Sequence, residues 1–247
     1  MSGAADVHRI CDIMSALDSL SPFALQESWD NCGLNIGSAT QQVASVAVSL
    51  EATLEIVEAL PCDSLLVVHH PLLFKPLKCL DTARYPANIA QILLRKNIAL
   101  LALHTNFDKS HFSRLLVERV LGFAVQANDG IVAYFEPHWT HTECVATLKE
   151  KFGLAQIACA NPKPAYHTAA LISGAGASMA DSVDVDCLLS GDMRYHDAMI
   201  ARSMGRTIFD IRHFESERFF VPFMLEILQS LGISAHGYDV QQPLIIF

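Results

Sequence analysis

No apolar run in this chain approaches the roughly 20 residues that cross a bilayer. The first residues, Met1-Ser2-Gly3-Ala4-Ala5-Asp6, lack a basic stretch leading into an apolar core. No secretory leader is therefore expected, and a cytoplasmic location is the default. Positive charge is also scarce: 17 Lys and Arg face 26 Asp and Glu, for a net charge of −9. That balance argues against a nucleic-acid partner, because binding a phosphate backbone needs a basic face. Cysteine is present but unpaired in pattern: Cys11, Cys32, Cys62, Cys79, Cys144, Cys159 and Cys187 are odd in number and widely spaced. A disulfide framework and a zinc ribbon are both disfavoured. Neither a Gly-x-Gly-x-x-Gly nor a Walker pattern occurs; Gly174-Ala175-Gly176-Ala177-Ser178 reads as a tight turn before a phosphate cradle.

What remains is apolar-rich, with 51% hydrophobic and 17% charged residues over 247 positions, enough for a substantial core. Helical spacing marks Val7–Leu20, Ala52–Leu60, Ala87–Lys96, Ser113–Leu121, Thr142–Phe152, Asp197–Met204 and Phe219–Leu231. Strand-like runs fall at Val43–Leu50, Leu65–Val68, Ile98–Leu103, Ile131–Phe135, Leu154–Ala158, Ala169–Ile172, Val185–Leu189, Thr207–Ile211 and Leu244–Phe247. Gln26–Gly37 reads as turns. Alternating strands and helices imply an α/β fold with largely parallel or mixed sheets. The polar break Gln126–Gly130 suggests two lobes, 1–128 and 129–247, with the last helix and strand able to pack back on the first.

Four buried runs end in metal-ligand residue types. Leu65–Val68 runs into His69-His70-Pro71, and Ile98–Leu103 into His104 and Asp108. Val185–Leu189 leads to Asp192, and Thr207–Ile211 to His213 and Glu217. Ligands of open α/β sheets gather at the carboxyl ends of strands, so these residues can converge without being near in sequence. Along a continuing strand, His69 and His70 would splay to opposite faces and reach two different ions. Histidine with carboxylate suits zinc, ferrous iron, manganese or cobalt. Each residue also has an ordinary use: Asp108 as a helix cap, Glu217 as a dipole-favoured carboxylate, His104 as a core histidine. Lys75 is close enough in sequence to the histidine pair to meet an anion. His138-Trp139-Thr140-His141 reads as the exposed start of a surface helix.

Five motifs follow one another along the chain: Trp29-Asp30-Asn31-Cys32-Gly33-Leu34, His69-His70-Pro71-Leu72-Leu73-Phe74-Lys75, His104-Thr105-Asn106-Phe107-Asp108, Gly191-Asp192-Met193-Arg194-Tyr195-His196-Asp197-Ala198 and His213-Phe214-Glu215-Ser216-Glu217. In this order they resemble the GTP cyclohydrolase I type 2 homologue family, also called NGG-one-interacting-factor-three-like. The resemblance implies two α/β lobes with a dinuclear site between them, holding two divalent ions (Zn, Fe, Mn or Co). Its ligands would be His69, His70, Asp108, His213 and a bridging Glu217. His104 would be a further ligand or support, with Lys75 and Asp192 around the site. It also implies a ring-shaped homohexamer, a trimer of dimers. One position departs: Arg212 stands where the family usually has glycine. The expected activity is metal-dependent hydrolysis of a nucleotide or small anion; the alternative is a metal-delivering or regulatory scaffold without turnover.

Overall fold

The structure is a computed structural model that describes residues 7–245. The fold is mixed α/β, and the chain divides into two compact units. One runs to Ser110 and resumes at Phe220; the other is His111–Phe219. The Gln126–Gly130 break lies within the second unit, where Ala127–Asp129 and Val132–Phe135 form a hairpin.

The first unit carries a five-stranded sheet in the order His236–Tyr238, Ser45–Ser49, Ser64–Val68, Ala99–Ala102, Gly33–Ile36. The first four strands are parallel, and Gly33–Ile36 is antiparallel to Ala99–Ala102. Every residue of Ser64–Val68 and Ala99–Ala102 is buried, because a parallel sheet is covered on both faces. On one face Leu66, Val68, Leu100 and Ala102 join Ile89, Ala90, Ile92 and Leu93 of the Ala87–Arg95 helix in a continuous core. The Phe220–Ser230 helix also packs on this sheet; adding a Cβ at Gly237 would bring it to 2.9 Å from Leu225 and 3.0 Å from Val221.

The second unit has a six-stranded mixed sheet, ordered Ala158–Ala160, Thr207–Asp210, Cys187–Ser190, Ala169–Leu171, Val132–Phe135, Ala127–Asp129. Its three central strands, Thr207–Asp210, Cys187–Ser190 and Ala169–Leu171, run parallel. Ala170, Leu188 and Ile208 are neighbours on one face and pack with Ala177, Val183 and Ala201. The helix His141–Phe152 starts from a capping box: the Thr140 hydroxyl accepts the Glu143 N–H, and Glu143 reaches back to the Thr140 N–H. His138 before it is exposed, while Trp139 is buried and pairs with Tyr166.

Local differences from the sequence reading have local causes. The first helix begins at Ile10, because His8–Arg9 pairs with Gln42–Val43 as strand. Gly33–Ile36, inside the stretch read as turns, is a strand held by its antiparallel neighbour. The Leu154–Ala158 run is displaced to Ala158–Ala160, where it meets Thr207–Asp210. His236–Tyr238 is an unexpected strand, too polar to show an apolar pattern. Leu244–Ile245 is not strand; positions 246–247, and the Met1–Asp6 segment, lie outside the described residues. Among the described residues no helix is long and apolar enough to cross a membrane.

Candidate metal centre

In the first unit, three adjacent parallel strands carry polar residues just past their carboxyl ends. Glu51 follows Ser45–Ser49, His69 and His70 follow Ser64–Val68, and His104 follows Ala99–Ala102. The ligand nitrogens of His69, His70 and His104, one from each, lie within 4.8 Å of one another. The imidazoles of His69 and His70 converge, with ring centres 4.9 Å apart and planes at 50°. The expected splay does not occur because the strand stops at Val68, so its alternation does not extend to the pair.

Each of these imidazoles is fixed through Nδ1. His69 Nδ1 is 2.8 Å from the Leu103 carbonyl, His70 Nδ1 is 2.7 Å from Glu51 Oε1, and His104 Nδ1 is 2.8 Å from Asp30 Oδ1. A carbonyl or carboxylate oxygen only accepts, so Nδ1 carries the hydrogen and donates. That leaves Nε2 with a lone pair, which is how metal-holding histidines are oriented. Asp108 Oδ1 is 3.8 Å from His69 Nε2. Asp108 sits one turn into the helical segment that starts at Thr105, its N–H bonded to the His104 carbonyl at 3.0 Å. It is not at the N-cap position of that segment, which His104 holds.

Asp30 is a heavily hydrogen-bonded carboxylate. It accepts from His104 Nδ1, from the Thr105 N–H and hydroxyl, and from the Cys32 thiol. Burial pushes its carboxyl up, but the bonds from His104 and Thr105 outweigh burial and hold it well below the usual carboxylate range. Burial and the neighbouring Asp30 push the Cys32 thiol up to about 12, so it stays protonated. Lys75 is exposed and pairs with no carboxylate among the described residues.

In the second unit, three parallel strands again end together. Gly174 follows Ala169–Leu171, Asp192 follows Cys187–Ser190, and His213 follows Thr207–Asp210. His213 Nδ1 donates to Asp192 Oδ2 at 2.8 Å, and its Nε2 is 2.9 Å from Glu217 Oε2, one helical turn on. The buried Glu217 carboxylate lies over Gly174: a Cβ there would stand 2.1 Å from Glu217 Oε1, at φ +60. The Gly174 and Gly176 N–H groups donate to Ser216 Oγ and Ser190 Oγ, so the small-residue turn is tied to its own unit. Arg212 takes φ 65 and ψ 154, a conformation that suits glycine and strains any other residue.

The Duf34/NIF3 (NGG1p interacting factor 3) family model matches residues 8–242. The chain belongs to the Duf34/NIF3 family. Among curated Duf34/NIF3 relatives, GTP cyclohydrolase 1 type 2 of Helicobacter pylori is 38% identical over 237 residues, covering 95% of this chain and 98% of its own. A GTP cyclohydrolase 1 type 2 homolog of Campylobacter jejuni is 35% identical over 226 residues, covering 91% and 94%. Among solved structures, Staphylococcus aureus hypothetical protein SA1388 superposes with a TM-score of 0.82 at 22% identity, over 98% of this chain and 100% of that one. Reduced HcgD of Methanocaldococcus jannaschii gives 0.80 at 19%, over 96% and 100%. These two structures share the Duf34/NIF3 fold.

The sequence assigned no roles to Asp30 or Glu51, and placed Gly174 in a tight turn without linking it to Glu217. Asp30 lay within a quoted motif, yet nothing local linked it to His104, 74 positions away. Glu51 comes just past the Ser45–Ser49 strand, with Leu50 between, a position that is itself a signal in a parallel sheet.

Proposed function

We propose that this protein is a metal-dependent hydrolase acting on a nucleotide or a similar small anion. Its centre would hold two divalent ions, zinc, iron, manganese or cobalt, on His69, His70, Asp108, His213 and a bridging Glu217, with His104 as a further ligand or support. The observation that carries the reading is the orientation of four imidazoles. Leu103 O, Glu51, Asp30 and Asp192 each take an Nδ1–H, so each ring offers Nε2. Imidazoles that merely fill a core have no need of this shared arrangement. The second unit adds support. With Nδ1–H on Asp192, His213 Nε2 meets the Glu217 carboxylate lone pair to lone pair at 2.9 Å, a repulsion that a cation or a proton removes. Borderline divalent ions fit this nitrogen and carboxylate set.

Bound there, such ions supply Lewis acidity at neutral pH and a clamp for developing negative charge. The chain's own residues do the rest. Asp30, Glu51 and Asp192 hold the imidazoles in place, and the Lys75 ammonium is available to a phosphate. The hydrolase name carried by the Helicobacter pylori relative agrees with this reading. The test is metal content by mass spectrometry together with turnover of GTP and other nucleotides by metal-loaded protein, against Glu217→Ala. The expected result is about two equivalents of metal per chain and turnover, with both lost in the variant. Absence of nucleotide consumption by either protein overturns the hydrolase reading, and rapid metal exchange without turnover supports metal delivery instead.

A further inference from the structure

We propose that Trp29 and Phe74 form a stacking platform for the planar heteroaromatic ring of a nucleotide. The two side chains come from separate loops of the first unit, one before the Gly33–Ile36 strand and one after the histidine pair. Both are exposed, Trp29 by 58% and Phe74 by 40%. Their ring centres are 5.7 Å apart with planes at 66°, so they make a corner rather than a stack. A planar ring laid on one face meets the other ring at its edge, a favourable pairing.

The corner is built and sits beside the histidine cluster. Asn31 Nδ2 donates to the Leu73 carbonyl at 2.8 Å, and the Leu73 N–H donates to Asn35 Oδ1 at 3.4 Å, which ties the two loops together. Both rings lie edge-on to His104, at 6.3 and 6.1 Å between centres. Lys75 directly follows Phe74 and pairs with no carboxylate among the described residues. An aromatic corner followed in the chain by an exposed lysine suits a base that carries a phosphate. Every base has a π face, so the platform selects the class of ligand and leaves the choice of base to other groups. This deepens the hydrolase reading and rests on it for what happens at the ligand's far end, while ring stacking stands on Trp29 and Phe74 alone.

Tryptophan emission tests it directly, because the chain has two tryptophans and Trp139 is buried. Guanosine monophosphate and ribose 5-phosphate are titrated into the full chain, with and without a chelator. The expected result is quenching by guanosine monophosphate, little by ribose 5-phosphate, and persistence of quenching when metal is removed. Trp29→Leu abolishes the quenching and weakens calorimetric binding by about tenfold, while Trp139 emission reports an intact fold. Trp29→Phe keeps most of the affinity. Equal affinity of Trp29→Leu and the parent overturns the proposal, as does equal binding of the two ligands. Absence of any acrylamide-accessible emission beside the shielded emission of Trp139 also overturns it, since Trp29 would then be covered by another copy of the chain. Loss of turnover with quenching retained counts against the hydrolase reading and not against the platform.

Discussion

Each unit gathers polar groups at the carboxyl ends of three parallel strands, but the two clusters are built differently. The first is rich in imidazole. His69, His70 and His104 stand at the end of a buried sheet without positive φ, and their orientation comes from oxygen acceptors. The second has one histidine between two carboxylates, on backbone held in unusual conformations. Gly174, Asp192 and Arg212 all have positive φ. The first cluster is thus organised by hydrogen bonds, and the second by hydrogen bonds together with a main chain held in left-handed conformations. Disturbing each should therefore show in different measurements.

The largest effect is expected from Gly174→Ala. The new methyl group would overlap the Glu217 carboxylate, at a backbone angle that disfavours any side chain. A loss of about 3 kcal/mol follows, to be read from urea unfolding; an unchanged midpoint would mean that Glu217 does not rest on this turn. In the first unit, Asp30→Asn keeps size and removes charge. It should lower zinc affinity by roughly 10 to 100-fold, measured against a competing chelator. Glu51→Gln should cost about tenfold at most, because Glu51 is 40% exposed and water can replace it. If the two substitutions were equal, burial of Asp30 would not be what sets the difference.

Arg212→Gly tests the main-chain side of the comparison in the opposite direction. Relief of the strain at φ 65 should raise stability by about 1 kcal/mol, seen as a higher Tm. The smallest effect serves as a control away from both clusters. Burial raises the Asp186 carboxyl, and the N–H groups of His167 and Thr168, with Lys163, outweigh burial and leave it below its ordinary value. A carboxyl lowered on folding stabilises above the unfolded value of about 3.9 and loses that contribution as pH falls through the folded one. Asp186→Asn should therefore cost about half a kcal/mol at pH 7, a gap that closes as pH is taken below about 4. Urea unfolding across that range checks it.

Much of the fold was readable because its signal is local. Ser64–Val68 and Ala99–Ala102 are short apolar runs with a polar end, and burial on both faces of a parallel sheet demands that pattern. Gly33–Ile36 and His236–Tyr238 were not readable, since edge strands carry glycine and polar residues and are held by a neighbour's hydrogen bonds. The ligand types at the strand ends were visible one by one, and the order of the motifs pointed to the family. The hydrogen-bond partners were harder, because His70 meets Glu51 across 19 positions and His104 meets Asp30 across 74.

The sequence by itself determined the α/β alternation, the placing of histidines and carboxylates after buried strands, and the family. Those follow from hydrophobic period and residue type, which every segment carries within itself. Tertiary structure decided which nitrogen each imidazole presents, that His69 and His70 converge, that Glu217 needs bare backbone at Gly174, and that Arg212 is strained. Those depend on contacts between segments far apart in the chain, and no local pattern encodes such a distance.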